Sequence, residues 1–104
     1  MPTEYDKLVR DRIPEIVRGN GETPVTRRAS DEEYRERLVE KLEEEVAEFR
    51  ADRTAEELAD VLEVVHAIRE HEGIGTDELR ALRERKADER GRFAERIVLE
   101  EVRS

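Results

Sequence analysis

Hydrophobic positions recur at helical spacing in three stretches of the chain, and each stretch opens on a capping signal. Ser30 with Glu33 forms a capping box, and Tyr34, Leu38, Val39, Leu42, Val46 and Phe49 then follow the period of a helix to about Arg50. Thr54 with Glu57 repeats the box ahead of Leu58, Val61, Leu62, Val64, Val65 and Ile68, which predicts a second helix to about Glu70. After the breaker His71-Glu72-Gly73-Ile74-Gly75, Thr76 is placed to cap a third helix to about Arg90, where Gly91 stops it. Nearer the N-terminus, Asp11 is placed to cap a short helix with Pro14 in its first turn, ended by Gly19-Asn20-Gly21. The segment from Glu22 to Ala29 reads as an extended linker or edge strand. Ile97-Val98-Leu99, inside a tail of residues 96–102, reads as a short strand able to pair with residues 24–28. The expected fold class is all-α: a helical bundle in one domain, 1–104, with short extended trimmings.

Angular placement of the acids changes the picture. At about 100° per residue with Glu45 at zero, Tyr34, Leu38, Phe49, Leu42, Val46 and Val39 span about −20° to about +120°, an arc that predicts the buried stripe. Glu45 lies inside that arc and Glu48 at its edge, at about −60°. The next helix does the same. With Glu57 at zero, Val64, Ile68, Val61, Val65, Leu58 and Leu62 span about −20° to about +140°; Glu57 lies within the arc and Asp60 at about −60°. Two consecutive helices thus each direct a pair of carboxylates, at i and i+3, along the margin of a packing face. An unpaired buried carboxylate is costly or takes up a proton, so four that converge call for a cation. Oxygen donors without Cys, and without His on this face, suit Mg²⁺ or Mn²⁺ rather than zinc. The pattern itself is permissive, since Glu32-Glu33-Tyr34-Arg35-Glu36 matches it too. Glu33 and Glu36, however, fall at about 240° and about 180° on the Glu45 wheel, away from the apolar arc. The structural alternative for the four acids is inter-helix ion pairing with Lys41 and the arginines.

Composition bounds what such a site can serve. The 104 residues suit one domain, and a net charge of −9 argues against stable binding to nucleic acid. Charged residues make up 47% of the chain, yet Leu, Ile, Val and Phe total 25, enough to fold around a thin core. There is no Cys, hence no disulfide and no thiolate nucleophile. No apolar run approaches the ~20 residues of a membrane span, and Met1-Pro2-Thr3-Glu4 does not open a signal peptide, so a cytoplasmic protein is expected. The five glycines are scattered and form no phosphate-cradling loop. His66 reads as a surface or interface residue and His71 as a helix-end residue, neither with a Ser or Cys partner.

The third helix offers the opposite charge. With Leu79 at zero, Leu82 lies at about −60°, Lys86 at about −20°, Arg90 at about +20° and Arg83 at about +40°. Cations near a helix C-terminus are favoured by the macrodipole alone. They also suit phosphate: Arg90 as a planar fork, Lys86 as a point charge.

Together these segments resemble a known family. "KLEEEVAEF" followed by "EELADVLEVV" resembles the E-E-x-x-E … E-x-x-D signature of the MazG-like all-α nucleoside triphosphate pyrophosphatase superfamily. "YDKLVRDRIPEI" and the Lys86–Phe93 segment resemble its phosphoribosyl-ATP pyrophosphohydrolase-like, or phage-type MazG, branch; Arg92 departs from it, standing where that branch has a second glycine. The resemblance implies Mg²⁺ ligands at Glu45, Glu48, Glu57 and Asp60, the four acids that the helical angles select. It implies Glu44 as a supporting residue or helper base; Glu44 and Glu45 are the catalytic candidates, since a carboxylate beside the metal can accept the proton of the attacking water. The implied activity is Mg²⁺-dependent hydrolysis of a nucleoside triphosphate between the α and β phosphates, including house-cleaning of non-standard nucleotides. The alternatives are phosphoribosyl-ATP hydrolysis in histidine biosynthesis and a non-catalytic nucleotide-binding or assembly module. A homodimer or homotetramer is expected, because the second long helix is apolar over a wide arc and superfamily members pair their helices.

Overall fold

α2 (Asp31–Ala51) and α3 (Ala55–His71) fold back on each other as a helical hairpin, the main packing event of the molecule. The computed structural model describes residues 2–104 and adds α1 (Ile13–Gly19) before the hairpin and α4 (Thr76–Arg90) after it. The chain divides into two compact units, Met1–Glu72 and Gly73–Ser104. The first holds α1 and the hairpin; the second holds α4 and the tail. The class is all-α, and no described helix is long and apolar enough to cross a membrane.

Both long helices start where their caps place them. The Ser30 hydroxyl accepts a hydrogen bond from Glu33 N at 3.2 Å, and the Thr54 hydroxyl accepts one from Glu57 N at 3.3 Å. Only this half of each box forms among the described residues, so neither glutamate side chain is engaged by its own cap. α4 begins one residue earlier than its Thr signal: Gly75 is the N-cap, and Glu78 reaches back to accept from Gly75 N at 3.2 Å. α1 starts after Arg12 rather than Asp11, with no side-chain cap; Ile13 N instead bonds to Arg10 O at 3.0 Å. Gly91 ends α4 at φ 82° and ψ −178°, a backbone conformation that a side chain would strain, whereas Arg92 is not among the residues with positive φ.

The expected strands do not form among the described residues. Residues 22–30 and 97–104 are irregular, and Val25, Ile97, Val98 and Leu99 are all largely exposed. β-branched residues favour extended backbone, but a lone two-stranded ribbon with nothing covering its apolar face is marginal in water.

The apolar arc on each hairpin helix is split lengthwise. On α2, Leu38 is buried (3% exposed) and Tyr34, Leu42 and Phe49 are half-buried, while Val39 and Val46 are exposed. On α3, Val64 is buried (8%), Val61, Val65 and Ile68 are half-buried, and Leu58 and Leu62 are exposed. In both helices the packed half is the one beside the acids. The open half carries Val39, Val46, Leu58 and Leu62.

Candidate metal centre

Burying Leu38 and Val64 against the opposite helix contributes about 2 kcal/mol each and fixes the rotation of both helices. That rotation turns Glu45 of α2 towards Glu57 and Asp60 of α3. The three carboxylates, all half-buried, each offer an oxygen within 4.8 Å of the others. Three hard oxygen donors at this separation fit a divalent cation such as Mg²⁺, which takes oxygen ligands and keeps several of its waters. Glu48, the fourth expected ligand, is exposed and stands outside this group, though its charge still acts on Glu57.

The electrostatics of the three differ. Asp60 Oδ1 accepts from Arg10 at 2.6 Å, and Glu45 Oε1 lies 3.3 Å from Lys41 Nζ. Glu57 has no cation partner and its carboxylate accepts no hydrogen bond among the described residues. Burial pushes its carboxyl above the ordinary value, and the charges of Asp60, Glu48, Asp52 and Glu45 push it the same way. Glu44 stands opposite. Burial pulls it upward, but hydrogen bonds from Lys7 (3.1 Å) and Lys41 (3.3 Å), with their charges, outweigh that and hold it ionised below the usual range.

Pattern reading of the sequence left out the N-terminal segment. Lys7 and Arg10 precede α1, in backbone without helix or strand, yet they reach Glu44 and Asp60. Pairing across such sequence distances leaves no periodic trace; the one signal is the Lys7 and Arg10 of the segment quoted above. The cations do pair with two of the acids, though not between the two long helices: Lys41 meets Glu45 one turn along α2 and Arg10 reaches Asp60 from irregular backbone, while Glu57 stays without an ion pair among the described residues. Lys86 and Arg90 stand on α4 in the second unit, whereas the acid group is built wholly from the first.

A cleft of about 730 Å³ opens in the first unit, within the size range of small-molecule sites. Arg10, Arg12, Lys41, Glu45 and Asp60 line it together with Tyr34 and His71. The two rings meet edge to face with centroids 5.0 Å apart, a contact that the helix-end reading of His71 did not include. His66 is half exposed and sits 2.7 Å from Glu70 Oε1 and 3.0 Å from Arg69 on the same helix, as a surface residue would.

No family model and no solved structure matches the chain. It is similar to an uncharacterized protein of Mycolicibacterium smegmatis, 62% identical over 45 residues, which are 43% of this chain and 46% of that relative. A match over less than half of either chain does not assign a family.

Proposed function

We propose that the protein is a Mg²⁺-dependent nucleoside triphosphate pyrophosphohydrolase of the MazG-like kind, cleaving between the α and β phosphates to give the monophosphate and pyrophosphate in the cytoplasm. The observation that carries this is Glu57: a half-buried carboxylate with no cation partner among the described residues, within reach of two more carboxylates and raised by burial and its acidic neighbours. A divalent cation would relieve that charge. Glu45, Glu57 and Asp60 would hold it; Glu48, expected as the fourth ligand, adds its charge at Glu57. When bound, Mg²⁺ neutralises phosphate oxygens and lowers the pKa of a coordinated water. In this reading Glu45 accepts a proton at its carboxylate, while Glu44, tied to Lys7 and Lys41, positions those two cations.

The open apolar half of the hairpin supports a homo-oligomer, dimer or tetramer. Val46 and Leu58 are exposed on that half, and a second copy covering it would take their apolar surface out of water. Lys86 and Arg90 are the proposed phosphate contacts on the strength of their charge and their shared stripe on α4.

The test is a pyrophosphate-release screen over standard, deoxy and damaged nucleoside triphosphates and phosphoribosyl-ATP, with Mg²⁺ and Mn²⁺. Release by the parent that Glu57→Gln abolishes supports the proposal. Release confined to phosphoribosyl-ATP shifts it to the histidine pathway. No release from any substrate leaves a binding module and ends the enzymatic reading.

A further inference from the structure

We propose that Arg10 is a substrate-phosphate ligand stored on a metal-ligand carboxylate: it pairs with Asp60 in the structure and passes to the substrate's phosphates when a divalent cation takes Asp60. The inference rests on the metal-centre reading above and deepens it.

Arg10 holds Asp60 Oδ1 at 2.6 Å, and Asp60 is one of the three acids whose oxygens lie within 4.8 Å of one another. A cation bound by those oxygens at about 2.1 Å would stand within a few ångströms of the guanidinium, and the two positive charges repel. Arg cannot lose its proton to relieve the repulsion, which therefore favours withdrawal of its side chain. The local structure lets the side chain move while the backbone stays. Arg10 O is pinned by Ile13 N at 3.0 Å at the start of α1, and Lys7 anchors the same segment to Glu44 at 3.1 Å. The Arg10 side chain, by contrast, is 57% exposed and held by the Asp60 contact.

The cleft it can move into is mixed in charge, with Asp11, Glu63 and Glu70 on its walls as well as two more cations. Arg10, Arg12 and Lys41 all line the cleft that Glu45 and Asp60 also line. Lys41 shares the arrangement, with Nζ 3.3 Å from both Glu44 and Glu45. A polyphosphate brought in with its cation would meet these three side chains as the acids turn to the metal. Arg10 is the one whose planar fork matches a phosphate and whose present partner is a member of the acid group. The exchange keeps charge balanced at each stage: Arg10 offsets Asp60 before the cation arrives and offsets phosphate afterwards.

This exchange makes a prediction of opposite signs. Removing Arg10 removes a competitor for Asp60 and a ligand for phosphate, so the cation alone should bind more tightly and the nucleotide more weakly. A structural brace would weaken both, and an inert surface pair would change neither. The experiment is calorimetry on the full chain and its Arg10→Gln and Arg10→Lys variants. It uses Mg²⁺ alone, and then a nucleoside triphosphate with a methylene bridge between the α and β phosphates at saturating Mg²⁺. In Arg10→Gln, Mg²⁺ affinity is expected to rise several-fold while nucleotide affinity falls on the order of tenfold or more, as for a lost charged hydrogen bond. Arg10→Lys should return Mg²⁺ affinity towards the parent value and restore part of the nucleotide binding. Affinities that fall together, or a nucleotide affinity unchanged in Arg10→Gln, overturn the exchange while leaving the metal centre standing. A parent that binds no Mg²⁺ overturns the metal centre itself, and the exchange with it.

Discussion

The two long helices start with the same device and end up in opposite electrostatic surroundings. Ser30 caps α2 and Thr54 caps α3 through near-identical hydrogen bonds to the third residue, which is a glutamate in both. Glu33 is then gripped by Arg27 through two hydrogen bonds, at 2.6 and 2.5 Å, and by Arg37 at 3.3 Å. The Arg27 hydrogen bond is the largest reason its carboxyl falls to about 2. Glu57 receives no such partner among the described residues; burial and four acidic neighbours push it the other way. A capping box therefore says where a helix begins and nothing about what its glutamate does afterwards. That depends on which residues the tertiary fold brings to it: arginines at one start, acids at the other. We read the first as stability and the second as a place for a cation.

The largest expected effect tests whether the acid-rich start needs a covering surface. Val39→Glu with Leu62→Glu places charges on the exposed apolar half, away from the carboxylates. Light scattering should show the parent as a dimer or larger and the double variant near the monomer mass of 12.2 kDa, with activity lost on dissociation. A monomeric, active parent would remove this element from the account.

The caps themselves should be equivalent. Ser30→Ala and Thr54→Ala are each expected to lower unfolding stability by about 1 kcal/mol, read from urea melts, because each removes one hydrogen bond to an N-terminal amide. A much larger loss at Thr54 would mean that its cap also holds the metal centre together.

Acid dependence should separate the two glutamates in sign. The folded pKa of Glu33 lies below its ordinary 4.5, so its contribution to stability is present above that value and is lost as pH falls from 4.5 towards 2. The folded pKa of Glu57 is raised, so the folded state holds its proton longer and stability declines as pH rises through and above the ordinary carboxylate range. Melting temperature against pH should therefore lose part of its acid limb in Glu33→Gln and gain at neutral pH in Glu57→Gln. Curves that shift in the same direction would contradict the assignment.

How much of this could be read from the chain follows from the range of each interaction. The starts of α2 and α3, the stop at Gly91 and the meeting of Glu45, Glu57 and Asp60 all come from local signals or from one period of rotation, and these were legible. Glu48 takes the same angle on α2 that Asp60 takes on α3, yet the structure leaves it exposed. A wheel gives direction but not the lean of one helix against the other. The roles of Lys7 and Arg10 depend on side chains crossing between distant segments through irregular backbone, which no period encodes. The expected pairing of residues 24–28 with 96–102 rested on β-propensity alone, and propensity without a covering face does not make a sheet.

The central claim is that the acids at the start of α3 bind a cation and the same device at the start of α2 does not. Mg²⁺ titration calorimetry on the parent, Glu57→Gln and Glu33→Gln tests it directly. The account predicts saturable Mg²⁺ binding in the parent, unchanged in Glu33→Gln and weakened on the order of 100-fold or more in Glu57→Gln, beyond the range of losing a residue that only supports a ligand. Equal affinity in all three proteins would contradict it.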